Sequence, residues 1–326
     1  MNSTGMPPSV LREQFIQKRI GVLMGGLSSE REISLRTGNA ILKALQDKGY
    51  NAVAIDADRE AVLKLQRAAV DAAFIALHCA LGEDGVIQGL LEMLQIPYTG
   101  SGVLASALAM NKVAAKKIFI YHGLPTPRFQ SLRVGPGRAP DAAAAITIAG
   151  PMIVKPAEEG STIGVSIVRT REELLPALEN ARSFGSELLV EEYITGRELT
   201  VGILNDQPLP LIEIIPRKGF YDYQAKYQKG ETDYVFPDWP GAQREAEIQG
   251  LALRAFQALG CSGAGRVDFM VDRHGNPLIL EVNTVPGMTE TSLLPKAARR
   301  AGIEFSELVE RILWSAALHK HVPHAR

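Results

Sequence analysis

The sequence has little cysteine and no excess of either charge, and each deficit argues against a class of protein. Its two cysteines, Cys79 and Cys261, form no CxxC pair, so neither a zinc site nor a disulfide scaffold is indicated. Thirty-five lysines and arginines stand against 36 aspartates and glutamates. This balance argues against a nucleic-acid partner and against attachment to a membrane surface.

Long apolar runs are also missing. No uninterrupted run reaches the ~18 residues of a membrane span, and residues 1–19 contain no apolar core of signal-peptide length. We therefore expect a cytoplasmic protein without a membrane partner. Its 326 residues, 46% of them hydrophobic, suffice for two or three domains with sizeable cores.

Two common nucleotide-binding motifs are absent as well. No Gly-x-x-x-x-Gly-Lys-Ser/Thr sequence occurs, which excludes a P-loop enzyme. Gly25 and Gly26 follow a predicted strand, residues 19–24, but do not extend to Gly-x-Gly-x-x-Gly. An NAD-dependent dehydrogenase that binds the ribose through Asp56 is an alternative, but it lacks its usual fingerprint.

What the sequence does contain, in its last quarter, is a pattern typical of a β-hairpin. Residues 266–283 alternate apolar and polar side chains on both sides of a turn at His274 and Gly275. Asn276 and the proline after it also favour a turn. If Arg273 faces Asn276 across this turn, the antiparallel register follows by counting.

The predicted register brings two carboxylates together. It places Asp268 opposite Glu281 and Arg266 opposite Asn283. Like charges directly opposite on a sheet repel, because their side chains are only ~5 Å apart. Two carboxylates and an amide there suit a hard cation such as Mg²⁺. The alternative is a surface hairpin whose acids point into water, but the apolar flanking residues imply a half-buried sheet and favour the metal.

Several other predicted strands end in residues suited to phosphate or sugar. Lys155 closes a strand before a loop, residues 157–164, whose glycines let backbone N–H groups approach phosphate oxygens. An ordinary glycine-containing hairpin is the alternative for this loop. Glu191 and Glu198 could accept hydrogen bonds from a ribose or an adenine amino group, or could be solvated charges. His78 ends a further strand, where α/β proteins place ligand groups.

The pattern also predicts two helices and a long loop near these residues. Ser28 or Ser29 is expected to cap the first helix, and the second is predicted from residue 103 to about 122. Residues 216–240 are polar, rich in tyrosine and without clear periodicity. A stretch of this length inside a compact domain indicates an active-site loop or lid.

The order of these motifs resembles the ATP-grasp ligases, and within them the D-alanine–D-alanine ligase family. The resemblance covers about residues 19–315 and rests on six segments: residues 25–35, 78–85, 154–165, 191–198, 220–227 and 265–288. Cys79 departs from the pattern, since the family usually has glycine after the histidine.

The resemblance implies an α/β fold of three domains with ATP-grasp architecture. A Rossmann-like βαβ domain would be followed by two α+β lobes that clasp the nucleotide. The implied division is an N-terminal extension, a substrate domain, a central lobe and a C-terminal lobe that carries the lid and the hairpin: residues 1–18, 19–110, 111–195 and 196–326.

The resemblance also implies ATP and two Mg²⁺ ions, for which Mn²⁺ can substitute. The implied nucleotide ligands are lysines for the phosphates, glutamates for the adenine and ribose, and two backbone groups beside the base: Lys112, Lys155, Lys226, Glu191, Glu198, Tyr193 and Ile194. The implied metal ligands are those of the hairpin: Asp268, Glu281 and Asn283.

Further roles follow for the amino-acid substrates. Glu30, Ser161 and Tyr227 would surround the first substrate. The remaining implied residues bind the first carboxylate, the oxyanion and the second carboxylate: His78, Arg266, Gly287, Ser292 and Leu293.

The reaction implied is the ligation of two D-alanines for a peptidoglycan precursor, with release of ADP, by a homodimer. Two alternatives stay open. One is a D-alanine–D-serine or D-alanine–D-lactate ligase of the same fold, although Tyr227 argues against the lactate form. The other is a nucleotide-binding module that has lost catalysis, against which the intact hairpin set argues.

Overall fold

The architecture comes from a computed structural model that describes residues 7–135, 137, 139–217, 230–239, 241–289 and 291–320. Three sheets organise the chain. In the parts described, no helix combines the length and apolar character needed to cross a membrane.

The first region is built on a parallel sheet of three strands in the order β2-β1-β3. Its strands are β1 (Arg19–Met24), β2 (Asn51–Asp56) and β3 (Ala72–Ile75). Its helices are α1 (Pro8–Ile16), α2 (Arg31–Asp47), α3 (Ala61–Arg67), α4 (Val86–Met93) and α5 (Val103–Met110). Strands β1 and β3 are apolar and almost fully buried, as expected where helices cover a parallel sheet, whereas the edge strand β2 exposes Asn51 and Ala54.

The central lobe carries an antiparallel sheet of four strands in the order β4-β7-β5-β6. Its strands are β4 (Phe129–Arg133), β5 (Met152–Pro156), β6 (Ser166–Val168) and β7 (Glu187–Glu192). Helix α6 (Lys112–Tyr121) precedes this sheet and buries Ala115 and Phe119 in the core of the third sheet. Helices α7 (Ala139–Ala144) and α8 (Leu174–Arg182), the latter preceded by a 3₁₀ turn, pack on the four-stranded sheet.

The third sheet is antiparallel, in the order β11-β10-β8-β12-β13, with β9 paired to β8. Its strands are β8 (Gly196–Leu204), β9 (Gln207–Pro208), β10 (Ile212–Pro216), β11 (Thr232–Val235), β12 (Ala264–Asp272) and β13 (Pro277–Asn283). Its helices are α9 (Gly241–Ala258), α10 (Leu293–Arg300) and α11 (Phe305–Leu313).

The first region and the third sheet share one hydrophobic core. Phe15 and Ile41 lie in the same buried cluster as Leu204 and Ile312. Beyond α11 the chain returns to the first region, where Ala317 pairs with Tyr98. The buried Glu92 carboxylate accepts hydrogen bonds from two backbone N–H groups of this tail, those of His319 at 2.8 Å and Lys320 at 3.3 Å.

The helix predicted over residues 103–122 is in fact two helices. Asn111 has an extended backbone, and its side chain accepts a hydrogen bond from the N–H of Ala114, so it caps α6. The N–H of Lys112 donates to the carbonyl of Ala157 instead of continuing α5. The break therefore sets Lys112 at the start of a helix beside the glycine-containing loop.

The helix that follows the first strand begins later than predicted. Glu30, not Ser28 or Ser29, occupies the cap position of α2. Its carbonyl accepts from the N–H groups of Ile33 and Ser34, while Ser28 Oγ accepts from the N–H of Glu30.

The hairpin pairs Asp268 with Glu281 and Arg266 with Asn283 as predicted, but its turn and its register near the turn differ from the prediction. Asp272 is bonded across the turn to Asn276, so the loop has three residues, with Gly275 at φ 84°. The register near the turn is therefore one residue away from the prediction. Leu280 forms a bulge, because Asp268 faces Glu281 while the next residue of β12 faces residue 279. The bulge cancels the shift, and Asp268 faces Glu281 as expected.

The segment predicted as a lid, residues 216–240, is described only in part. Its end was predicted wrongly, since Thr232–Val235 pairs with β10 as a strand. Residues 218–229 and 240 lie outside the described residues.

Two glycine substitutions test the packing around β12. Gly196 faces Asp272, and a Cβ there would lie 1.8 Å from the carbonyl oxygen of Val271. We expect Gly196→Ala to lower the free energy of unfolding by about 3 kcal/mol. Gly250→Ala, on an exposed helix position with no heavy atom within 4 Å, should raise it by about 1 kcal/mol. Urea unfolding measures both, and equal stabilities would contradict the observed pairing.

Candidate active site

Two cavities of about 210 and 350 Å³ meet between the three sheets. The smaller one opens toward the first region and the larger one lies between the central and third sheets. They share a wall of residues drawn from α6, the glycine-containing loop and β13: Lys112, Glu159, Gly160, Ser161 and Glu281.

A buried ionic cluster forms one side of the larger cavity. The Glu191 carboxylate lies 2.5 Å from Lys155 Nζ and 2.8 Å from Lys116 Nζ. Lys116 has no exposed surface, and Glu191 is 3% exposed. Burial by itself would raise the pKa of Glu191, but the two lysine charges outweigh it and lower the pKa to about 2. Glu191 is therefore ionised at neutral pH.

The other predicted nucleotide ligands also line the larger cavity. Tyr193 and Ile194 follow β7, and Glu198 lies on β8. Ile153, Val165, Met270 and the bulged Leu280 supply apolar surface. Lys226 lies outside the described residues.

The two opposed carboxylates of the hairpin, Asp268 and Glu281, each lie beside a cationic side chain. Arg266 donates two hydrogen bonds to Asp268, at 2.8 and 2.7 Å, and Thr200 Oγ1 donates a third at 2.6 Å. Lys112 Nζ lies 3.3 Å from Glu281 and donates to the carbonyl of Glu159 at 2.6 Å. The repulsion anticipated between the opposed acids is therefore compensated.

The donor chemistry of the hairpin fits a hard divalent cation. Asp268, Glu281 and Asn283 offer only oxygen ligands, as Mg²⁺ requires. Among the described residues, no three or more His, Cys, Asp and Glu side chains form a metal cluster. The hairpin differs from such clusters because its third donor is an amide.

The smaller cavity brings together residues from the first region and the loop. Glu30 accepts a short hydrogen bond from Ser161 Oγ, as the resemblance implied. His78 is buried, and its Nε2 lies 3.3 Å from Thr37 Oγ1. Burial lowers the pKa of His78, so its ring is neutral at pH 7.

Cys79 has φ 58°, in the left-handed region that favours glycine, which explains why the family pattern has glycine here. Burial, followed by the negative charge of Glu83, raises the pKa of the Cys79 thiol. Glu83 accepts a 2.7 Å hydrogen bond from the N–H of Cys79. Burial raises the pKa of Glu83 to about 8.

The far end of the smaller cavity is a helix start. Ser292 is the N-cap of α10, and its Oγ accepts from the N–H of Thr289 at 3.0 Å. Leu293 is the first residue of that helix, so its N–H is placed at the positive end of the helix dipole. Gly287 approaches Ser292, since a Cβ there would lie 3.0 Å from Ser292 Oγ. Tyr227 lies outside the described residues.

Sequence reasoning missed some residues in and behind the walls of the two cavities. Lys116 was seen only as part of a helix, although its spacing of four from Lys112 on one helix face was a usable signal. Leu280 was missed because a bulge cannot be counted from the residues alone. Glu83 follows the histidine motif closely but was given no role.

The alternative based on Asp56 is not supported by its surroundings. Arg31 donates two hydrogen bonds to this carboxylate, at 2.8 and 2.7 Å, and the N–H of Gly26 donates a third. Asp56 therefore orders the turn after β1.

The buried cluster predicts a pH-dependent stability. Glu191→Gln leaves two lysines without a buried counter-charge, so we expect a loss of about 3–5 kcal/mol in the free energy of unfolding at pH 7. The native pKa is depressed, so the contribution of Glu191 is full above about 4.5 and disappears as the pH falls through about 2. The difference between wild type and variant, measured by urea unfolding, should narrow over that range.

Glu192→Gln is the matched control. Glu192 pairs with the exposed Arg128, so its loss should cost less than about 1 kcal/mol. If the two variants lose equal stability, Glu191 does not hold the cluster together.

Comparisons with known proteins agree with this geometry. A family model described as the D-ala D-ala ligase C-terminus matches residues 118–314, and one described as the N-terminus matches residues 59–101. D-alanine–D-alanine ligase of Syntrophotalea carbinolica is 54% identical over 95% of this chain and 99% of its own. That of Geobacter sulfurreducens is 50% identical over 94% and 96%.

Solved structures show the same fold. D-alanine–D-alanine ligase from Bacillus anthracis, in complex with ATP, has a TM-score of 0.77 and 36% identity, covering 91% of this chain and 97% of its own. VanG D-Ala:D-Ser ligase from Enterococcus faecalis has a TM-score of 0.79 and 29% identity, covering 91% and 99%. With both family models matched and relatives at about 50% identity along almost its whole length, the chain belongs to the D-alanine–D-alanine ligase family.

Proposed function

We propose that this protein joins two D-alanines into D-alanyl-D-alanine, with hydrolysis of ATP to ADP and phosphate, for a peptidoglycan precursor. The observation that carries the proposal is the wall shared by the two cavities. A nucleotide in the larger cavity and an amino acid in the smaller one would meet at Lys112, Ser161 and Glu281. Phosphoryl transfer requires such a meeting point.

The larger cavity suits ATP in its chemistry as well as its position. Its apolar part can receive the base beside Tyr193 and Ile194, with Glu198 at the ribose. Glu191 forms ion pairs with two lysines, so it would influence the adenine site through its charge and its position. Lys112 and Lys155 would bind the phosphates, and Lys226 the transferred group.

Asp268, Glu281 and Asn283 would hold two Mg²⁺ ions, with Mn²⁺ as a substitute. Ions held there would supply positive charge to neutralise the phosphates. Arg266 and Lys112, which balance these carboxylates here, would then be able to turn to substrate oxygens.

The first D-alanine would lie in the smaller cavity with its ammonium at Glu30. Ser161 and Tyr227 would complete a polar contact between the first region, the glycine-containing loop and the lid. His78, neutral and buried, would face the carboxylate without adding a positive charge. One carboxylate oxygen then attacks the γ-phosphorus, the bond to the β–γ bridging oxygen breaks, and ADP leaves.

The second D-alanine would bind with its carboxylate at Ser292 and the N–H of Leu293, since a helix start favours anions. Its amine, after losing a proton, attacks the carbonyl carbon of the acyl phosphate. Arg266 and the N–H of Gly287 would stabilise the tetrahedral oxyanion. The carbon–oxygen bond to phosphate then breaks, and the peptide bond is formed.

D-Serine is a second candidate acceptor, because the chain also resembles a D-Ala:D-Ser ligase in fold. The relatives described above, at 54% and 50% identity, are both named D-alanine–D-alanine ligase, which favours D-alanine. D-Lactate is the third candidate, against which Tyr227 argues.

We propose further that the enzyme is a cytoplasmic homodimer. Three large apolar side chains on neighbouring helices α4 and α5 support the dimer, with exposed fractions of 55%, 85% and 71%: Val86, Met93 and Leu104. Self-association would cover them. Its substrates ATP and D-alanine are intracellular metabolites, which supports the location.

The proposed function predicts the substrates and products of the reaction. With ATP and Mg²⁺, D-alanine should give D-alanyl-D-alanine and one ADP per dipeptide. D-Serine and D-lactate, each offered with D-alanine, test the alternative acceptors, and L-alanine tests stereochemistry. Release of AMP and pyrophosphate, or equal use of L-alanine, would contradict the proposal.

Substitutions of Glu281 and Arg266 distinguish the roles of these two hairpin residues. Glu281→Gln should raise the Mg²⁺ concentration required for half-maximal rate and reduce turnover, because one charged oxygen ligand is lost. Arg266→Lys should reduce turnover by a factor of roughly 10–100, since lysine lacks the planar fork, with a smaller change in Mg²⁺ requirement.

Steady-state rates over a Mg²⁺ titration measure both variants. Thermal melting without nucleotide serves as the control for folding. An unchanged Mg²⁺ requirement in Glu281→Gln would show that this carboxylate is only structural.

A further inference from the structure

Lys116 is a fully buried charge that the reaction does not use. It has no exposed surface and does not line either cavity. A buried ion pair is often no more stabilising than apolar side chains of similar volume. Methionine would fill the same space, so stability alone gives no reason for an ammonium group here.

The charges of the cluster supply a reason. Glu191 is one carboxylate shared by two ammonium groups, at 2.8 Å from Lys116 and 2.5 Å from Lys155. Burial lowers the pKa of Lys116, while the charge of Glu191 opposes this shift. With both lysines protonated, the group of three carries a net charge of +1 beside the larger cavity. Lys155 lies in the wall of that cavity and Lys116 lies behind it.

Lys116 is fixed in place from a second side. Its Nζ donates to Thr126 Oγ1 at 2.6 Å, and that hydroxyl donates to the carbonyl of Ile279 at 2.8 Å. Ile279 belongs to β13, next to the bulged Leu280. Lys116 can therefore hold Glu191 without following a ligand into the cavity.

We propose that Lys116 is a positioning residue for nucleotide binding: it holds Glu191 in place, so that Lys155 is free to turn its hydrogen bonds to the phosphates. Without Lys116, Glu191 and Lys155 form a neutral pair. Lys155 could then bind a phosphate only by leaving a buried carboxylate without a partner, and that loss opposes binding. This inference rests on the proposed binding of ATP.

The test uses the full chain with Lys116→Gln and Lys116→Met. Glutamine can keep hydrogen bonds to Glu191 and Thr126 but removes the charge, whereas methionine removes both. Lys117→Gln is the matched control, since Lys117 is the exposed neighbour on the same helix. Calorimetry gives the Kd of ATP with Mg²⁺, and steady-state kinetics give KM for ATP and for D-alanine.

Both Lys116 variants should raise the Kd and KM of ATP by a factor of roughly ten. KM for D-alanine should stay within about twofold, and Lys117→Gln should match wild type. If either folded Lys116 variant binds ATP as tightly as wild type, the inference is wrong. It is also wrong if KM for D-alanine rises as much as KM for ATP, because general damage then explains the loss. Failure of the wild type to bind ATP would instead overturn the proposed function.

Discussion

The site depends on the backbone pairing of β12 with its two neighbours. Nine residues of β12 pair with β8, and its other edge pairs with β13. Because side chains alternate along a strand, Val267, Phe269 and Val271 enter the core while Arg266 and Asp268 face the cavities. The hydrophobic core therefore fixes the position of the charged groups: a slip by one residue would bury the charges and expose the apolar side chains.

A second constraint is the compensation of charge. Several carboxylates that line the two cavities have a lysine or arginine within hydrogen-bonding or ion-pair distance, among them Glu191, Asp268 and Glu281. Glu30 instead accepts from a serine hydroxyl. In the proposed binding mode, the ammonium group of the first substrate would approach the carboxylate of Glu30.

Sequence patterns predicted the parts of the site that follow from periodicity and from side-chain chemistry. Alternation correctly separated the core-facing residues of β12 from Arg266 and Asp268, but the pairing of Asp268 with Glu281 was correct only because the bulge at Leu280 offset the one-residue error at the turn. The turn was wrong because the side chain of Asp272 accepts hydrogen bonds from the N–H groups of residues 274 and 276, which stabilises a longer loop. A local hydrogen-bond preference of this kind leaves no trace in the hydrophobic pattern.

Other features were beyond sequence reasoning because they depend on distant contacts. The break at Asn111 rests on hydrogen bonds to Glu158 and Glu187, which lie far along the chain. Glu191, the partner of Lys116, is 75 positions away along the chain, and only the folded sheet brings the two side chains together. The resemblance identified the family from ordered motifs, but it gave Glu191 a ligand role without showing that its carboxylate forms ion pairs with two lysines.

The return of the chain to its first region has a consequence for modularity. Tyr98 pairs with Ala317, Glu92 anchors the tail, and Phe15 and Ile312 belong to one core. The first region is therefore not a detachable unit, although its parallel sheet looks independent. A fragment that ended before α10 would expose the inner face of α2 and lose the anchor of the tail. Loops around this shared core can vary independently, whereas the first and last segments of the chain must remain compatible with each other.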